Sequence, residues 1–206
     1  MEPSELPKKY LQKKTAIKKR LNDFSKVPPS EYFYELAFCL LTPQSKQKYA
    51  EIVIEKLKKR NFIKKPFNPT PILRDPKHYI RFHNVKGQRL LQLRKVFPSI
   101  YTELTDRDQN PESLRELLLQ NVTGLGWKEA SHFLRNIGFR GLAILDRHIL
   151  KHLHQLKVIP DQPKSISPKR YKEIEQCFLH FSNKVSIPMD ELDLLFWSEQ
   201  TGEIRK

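Results

Sequence analysis

Within residues 121–138, NVTGLGWKEASHFLRNIG, the glycines Gly124 and Gly126 are followed two residues later by Lys128. Eighteen residues beyond that lysine, the apolar run LAIL ends at Asp146, and RHIL follows. An amine attacks carbon only when unprotonated, and the first turn of a helix, whose dipole disfavours a cation, favours the neutral amine. Lys128 therefore reads as a candidate Schiff-base nucleophile. An aspartate directly before a helix is an N-cap, its carboxylate accepting free first-turn amides. A carboxylate fixed in this way is held rigid and charged, as stabilising a developing positive charge on a sugar requires. Each residue also has a plainer reading: Lys128 as a solvated surface lysine, Asp146 as a cap and nothing more.

The elements around these residues follow from apolar spacing and breakers. Pro111 to Gln120, PESLRELLLQ, reads as a helix with Leu114, Leu117 and Leu118 on its inner face. A tight turn with Gly124 and Gly126 follows, and a second helix starts near Trp127, giving a helix-hairpin-helix over about 111–138. Glycine permits positive φ and close backbone approach. Amides at such a hairpin can hold a DNA phosphate. An ordinary turn with convenient glycines is the alternative.

Glu31 to Leu41 and Gln47 to Lys58 show the helical period, and few stretches alternate as strands do, so the fold class is all-α. Breaks are expected at Pro28-Pro29, around Pro98 and from Pro160 to Pro168, with a crossing loop over Asn61 to Pro76. The last third reads as three helices. They are Asp146 to Gln155; Tyr171 to Phe181, with Ile174, Cys177, Phe178 and Phe181 on one side; and one from Pro188 to about Gln200, with Gly202 suited to its C-terminal cap.

A formal charge of +15 and a pI near 9.8 give a field that attracts polyanions, nucleic acid first among them. Solvated lysine-rich faces and anionic membrane surfaces are the competing readings. The longest apolar runs, at Leu36 to Leu41 and Leu194 to Trp197, are far short of a bilayer span. No secretory leader is visible, so a soluble intracellular protein is expected. Cys39 and Cys177 are too few for a disulfide framework or cluster ligands. His148 and His152 stand four apart, with His154 close by, but the HExxH glutamate is missing. These histidines are expected on a polar or DNA-facing side, with no metal and no other cofactor.

Hairpin glycines, a lysine two residues after the second, and an aspartate about twenty residues on resemble the helix-hairpin-helix glycosylase superfamily. One branch is more similar still: the archaeal-type 8-oxoguanine DNA glycosylase/lyases, found also in some bacteria. That likeness spans FCLLT at 38–42, KEASHFLRN beyond the hairpin, DRHIL at 146–150, ELDL at 191–194, and TG followed by a short tail ending in lysine. It implies two helical lobes with a DNA-binding cleft between them, the chain forming a single unit over 1–206. It also implies a bifunctional enzyme that excises 8-oxoguanine through a Schiff base on Lys128, assisted by Asp146, and then cleaves the abasic site by β-elimination. The implied partner is double-stranded DNA containing 8-oxoguanine, met by a monomer that needs no protein partner, inside a prokaryotic cell.

Four further residues have expected roles in recognition. By resemblance, Trp197 walls the pocket of a flipped purine, while its neighbour Phe196 reads as core. Phe82, within IRFHNVKGQ, is a candidate wedge for the gap left by the extruded base, and Gln44, after FCLLT, a candidate to enter the duplex. By resemblance Lys206 takes part in telling 8-oxoguanine from guanine. The lesion carries N7–H where guanine has an acceptor, and an acceptor left facing a lone pair costs about 1–3 kcal/mol. Two other readings remain: a non-catalytic helix-hairpin-helix DNA-binding module, and a monofunctional glycosylase for another lesion, which leaves Lys128 without a task.

Overall fold

Ten α-helices and no strand make up the described residues, 5–204, of the computed structural model, in accord with the helical period of the sequence. The chain divides into two compact units. Residues 28–133 form one, and the stretches before Pro28 and after Phe133 form the other.

The unit 28–133 is built on α2 (Tyr32–Leu41), in which only Glu35 escapes full burial. A helix apolar on all sides must be enclosed. It is covered by the Ala50, Val53, Ile54 and Leu57 face of α3 (Gln47–Lys59) and by α5 (His83–Thr105), which buries Leu90, Leu93, Phe97, Ile100 and Leu104. Phe33 meets Phe97 edge-on at 5.3 Å, and each fully buried phenylalanine contributes about 1.5–3 kcal/mol.

The break expected at Pro98 is absent: the proline lies inside α5. It sits on the exposed side, where the carbonyl that loses its amide partner can turn to water, while Phe97 and Ile100 hold both halves of the helix to the core. The stretch Asn61 to Pro76 is also more ordered than a crossing loop. It contains α4 (Thr70–Arg74) and a fully buried Phe62, and leads into a 3-10 turn over Pro76–His78. Asp75 caps that turn by accepting from the Lys77 amide. After α6 (Pro111–Asn121) comes α7 (Trp127–Asn136), through which the chain leaves this unit.

The other unit opens with α1 (Leu6–Ser25), a helix not expected from the sequence, which buries Leu6, Tyr10, Ile17, Leu21 and Phe24. It packs on α10 (Met189–Thr201), and its Lys9 and Lys13 pair with Glu199 at 2.9 and 2.7 Å. In chain order α10 is preceded by α8 (Arg147–Gln155) and α9 (Pro168–Val185), both of which also contact it. Gly202 caps α10 at φ +77°, as expected. Cys177, expected on the inner side of α9, is exposed, because the buried stripe runs through Tyr171, Ile174, Phe178 and Ser182 and leaves it on the flank. Among the described residues no helix is long and apolar enough to cross a membrane.

Candidate active site

The hairpin in 28–133 is locked from inside. Asn110 caps α6, its side chain accepting from the Glu112 and Ser113 amides. On the next turn Arg115 is fully buried, its Nη1 donating to Ser131 Oγ at 3.2 Å and its guanidinium lying 4.7 Å from the Trp127 ring. One side chain of the first helix thus grips the start and middle of the second. The inner face expected from leucines alone is therefore completed by an arginine.

Gly124 has φ +82°, and a Cβ there would stand 2.2 Å from the Arg89 guanidinium, so a cation lies directly against the turn. Gly126 does not need positive φ. A Cβ there would meet the Glu129 carboxylate at 2.7 Å, the far end of a side chain that would have to swing aside. The other oxygen of Glu129 pairs with Lys128 Nζ at 2.9 Å. Lys128 stands in the first turn of α7 with its side chain 29% exposed. Glu129, missed in the sequence, is the residue that holds the amine.

Two more expected residues belong to this unit. Gln44 is exposed in the turn between α2 and α3 at φ +55°, and Phe82 precedes α5 at φ +61° with half of its surface exposed. Lys86, one turn into α5, is buried, and burial with Arg89 nearby pushes its amine down to about 8 against a weaker pull from Glu129.

In the other unit Asp146 is the N-cap of α8. Oδ1 accepts from the amides of His148 and Ile149 at 2.7 and 2.9 Å, and Oδ2 accepts from Trp197 Nε1 at 3.2 Å. Both oxygens are thereby fixed. Trp197 is half-buried, Phe196 is fully buried, and His148 meets the Trp197 ring at 6.2 Å. One turn earlier in α10, Asp193 forms a buried pair with Arg135 at 2.9 Å. Burial pushes its carboxyl up to about 7 against the pull of Arg135, and the charge of Asp146 adds to the rise.

His152 corrects an expectation. It is buried, not polar-faced: it stacks on Phe196 at 4.8 Å and faces Gln200 at 3.3 Å, and burial pushes its imidazole down to about 4. Its place in α8 follows Ile149 and precedes Leu153 on the buried side. His154 is exposed. Lys206 lies outside the described residues.

The arrangement thus brings Trp197 to Asp146, and Lys128 to the hairpin glycines. A family model described as 8-oxoguanine DNA glycosylase matches residues 17–187. A Fusobacterium nucleatum 8-oxoguanine DNA glycosylase/AP lyase is 38% identical over 98% of this chain and 97% of its own length. One from Korarchaeum cryptofilum is 35% identical over 92% and 90%. Among solved structures, the Methanocaldococcus jannaschii 8-oxoguanine glycosylase/lyase in complex with a 15mer DNA containing 8-oxoguanine aligns with a TM-score of 0.84 and 31% identity, covering 98% and 99%. The 8-oxoguanine DNA glycosylase of Thermotoga maritima aligns with a TM-score of 0.85 and 28% identity, covering 98% and 97%.

Proposed function

Because the chain belongs to the 8-oxoguanine DNA glycosylase family, we propose that it excises 8-oxoguanine from duplex DNA and cleaves the resulting abasic site, with Lys128 as nucleophile and Asp146 as the essential carboxylate. The damaged nucleotide leaves the stack, at a cost of a few kcal/mol recovered by pocket and backbone contacts. The Lys128 ammonium gives a proton to its partner carboxylate Glu129, and the pair then opens to free the neutral amine. As the bond from C1′ to the base breaks, the base leaves with the electron pair and takes up a proton, and the Lys128 nitrogen bonds to C1′. Asp146 stabilises the positive charge that the sugar carries in between. Opening of the sugar ring, with loss of a proton from nitrogen, gives the Schiff base. Loss of a C2′ proton then expels the 3′ phosphate, and water releases the lysine. The scheme calls on no metal.

The observation that carries this reading is the double fixing of Asp146. A cap needs one oxygen; here the second is held by Trp197, a flat ring of the kind a flipped purine stacks on. In the same proposal Gly124 and Gly126 let the hairpin approach phosphate, Gln44 and Phe82 enter the duplex, and Lys206 keeps the discriminating role that the resemblance implies. The protein acts as a monomer on DNA inside a prokaryotic cell.

Borohydride reduction during reaction with an 8-oxoguanine duplex tests the chemistry. We expect a covalent protein–DNA species that Lys128→Gln abolishes while DNA binding persists. Should the native protein give neither adduct nor cleavage, a non-catalytic DNA-binding module becomes the better reading.

A further inference from the structure

Five non-glycine residues among those described have positive φ: Gln44, Asn61, Phe82, Lys157 and Ser186. Three of them close helices in the ordinary way. After Asn61, Lys157 and Ser186 the next amide reaches back to a helix carbonyl: Phe62 to Leu57, Val158 to Leu153 and Ile187 to Ser182. Gln44 and Phe82 do not follow that pattern. A left-handed side-chain-bearing residue costs on the order of 1 kcal/mol and persists only where its surroundings over-determine it.

The surroundings of both converge on Lys86. Lys86 is 2% exposed, and among the described residues no carboxylate lies within hydrogen-bond reach of its ammonium, which donates to Leu41 O at 2.7 Å, Pro43 O at 2.6 Å and Ser45 Oγ at 3.2 Å. Three donors meet three acceptors, all from the segment that carries Gln44. Ser45 Oγ in turn accepts from the Arg81 amide at 3.0 Å, directly before Phe82. The Lys86 amide closes the other side by donating to Phe82 O at 2.9 Å. A buried cation held only by neutral oxygens is an expensive tie. Here it joins two loops, each of which ends in an exposed, strained side chain.

We propose that Lys86 and Ser45 form a clamp that presets Gln44 and Phe82 as a pair, so that the two enter the lesion-bearing duplex together. The clamp acts on extrusion of the nucleotide and not on the chemistry of Lys128, and it rests on the glycosylase reading above. Lys86 and Ser45 are positioning residues in this scheme. Gln44 and Phe82 touch the DNA.

The test compares native protein with Ser45→Ala, Ser45→Thr and Lys86→Met on two substrates under single-turnover conditions. One is a duplex with 8-oxoguanine beside 2-aminopurine, whose fluorescence rises when stacking is lost. The other is a single strand with a preformed abasic site, which needs no extrusion. We expect Ser45→Ala and Lys86→Met to lower duplex excision about tenfold, the equivalent of one hydrogen bond, and to blunt the fluorescence rise. Single-strand cleavage should stay within about twofold, and Ser45→Thr, which keeps the hydroxyl, should restore excision. Native-like excision and fluorescence by Ser45→Ala overturn the clamp, as does an equal loss on both substrates. Ser45 is half-buried, so Ser45→Ala decides the matter even if Lys86→Met does not fold. A native protein inactive on both substrates overturns the glycosylase reading and the clamp with it; an active native protein with an indifferent Ser45→Ala overturns the clamp alone.

Discussion

Replacing Asp146 by asparagine separates its two tasks. The side-chain oxygen of the new amide can keep the bonds from the His148 and Ile149 amides, and asparagine caps helices as well as aspartate. The other end becomes an amide donor facing the Trp197 N–H, so that bond is lost. A hydrogen bond to a charged carboxylate is worth about 1.5–3 kcal/mol, which in a chain of this length lowers the thermal midpoint by roughly 3–12 °C. Excision under single-turnover conditions should slow by on the order of a hundredfold or more, the scale seen when a preorganised electrostatic group is removed. Two companions calibrate the result. Asp146→Ala also removes the cap and should cost about 1 kcal/mol more in stability. Trp197→Phe removes the same bond and leaves the carboxylate, so it should match Asp146→Asn in stability yet retain far more of the rate for cleavage at a preformed abasic site. Near-normal turnover by Asp146→Asn would show the carboxylate to be only a cap. Equal slowing at the abasic site by Trp197→Phe would show that orientation, not the carboxylate itself, carries the effect.

Gly124→Val combines a β-branched residue at φ +82° with a clash against Arg89, and should weaken binding to damaged and undamaged duplex alike, measured by titration of labelled DNA; selective loss for the lesion would contradict a phosphate role. His152 is held neutral in the folded state, with its imidazole pushed down to about 4 from an ordinary value near 6.5. The unfolded chain binds that proton more readily, so this contribution is present above pH 6.5 and is lost as pH falls toward 4. Thermal unfolding of His152→Gln across roughly pH 4–7 should show a flatter acid limb than the native protein, and parallel limbs would refute the assignment.

The hairpin, the cap at Asp146 and the end of α10 at Gly202 were legible because each signal lies within a few residues of what it specifies. Glycine spacing marks a turn, and an aspartate before an apolar helix marks a start. The contacts that complete the site are long-range. Trp197 lies 51 residues from Asp146, and Lys86 lies 41 to 45 residues from its acceptors. In the linear pattern Lys86 is one lysine among many, and Arg115 one charge beside leucines; only packing reveals them as buried. Helix α1 was hidden by its seven lysines and arginines between Lys8 and Arg20, which dilute the stripe of Leu6, Tyr10, Ile17, Leu21 and Phe24. Pro98 misled for a related reason, since a breaker's effect depends on which side of the helix it faces.

The unit that holds Asp146 is assembled from both ends of the chain, and this sets an order of events during synthesis. Helix α1 is made first, but α10, the helix it packs against, emerges roughly 160 residues later. At about 5–20 residues per second, α1 waits on the order of 8–30 s with Leu6, Ile17 and Phe24 uncovered. Residues 28–133 are contiguous in the chain and form a compact unit of their own. They can fold on the ribosome while the first helix is still unpartnered, so the unit that carries Lys128 can be finished before the unit that carries Asp146 closes.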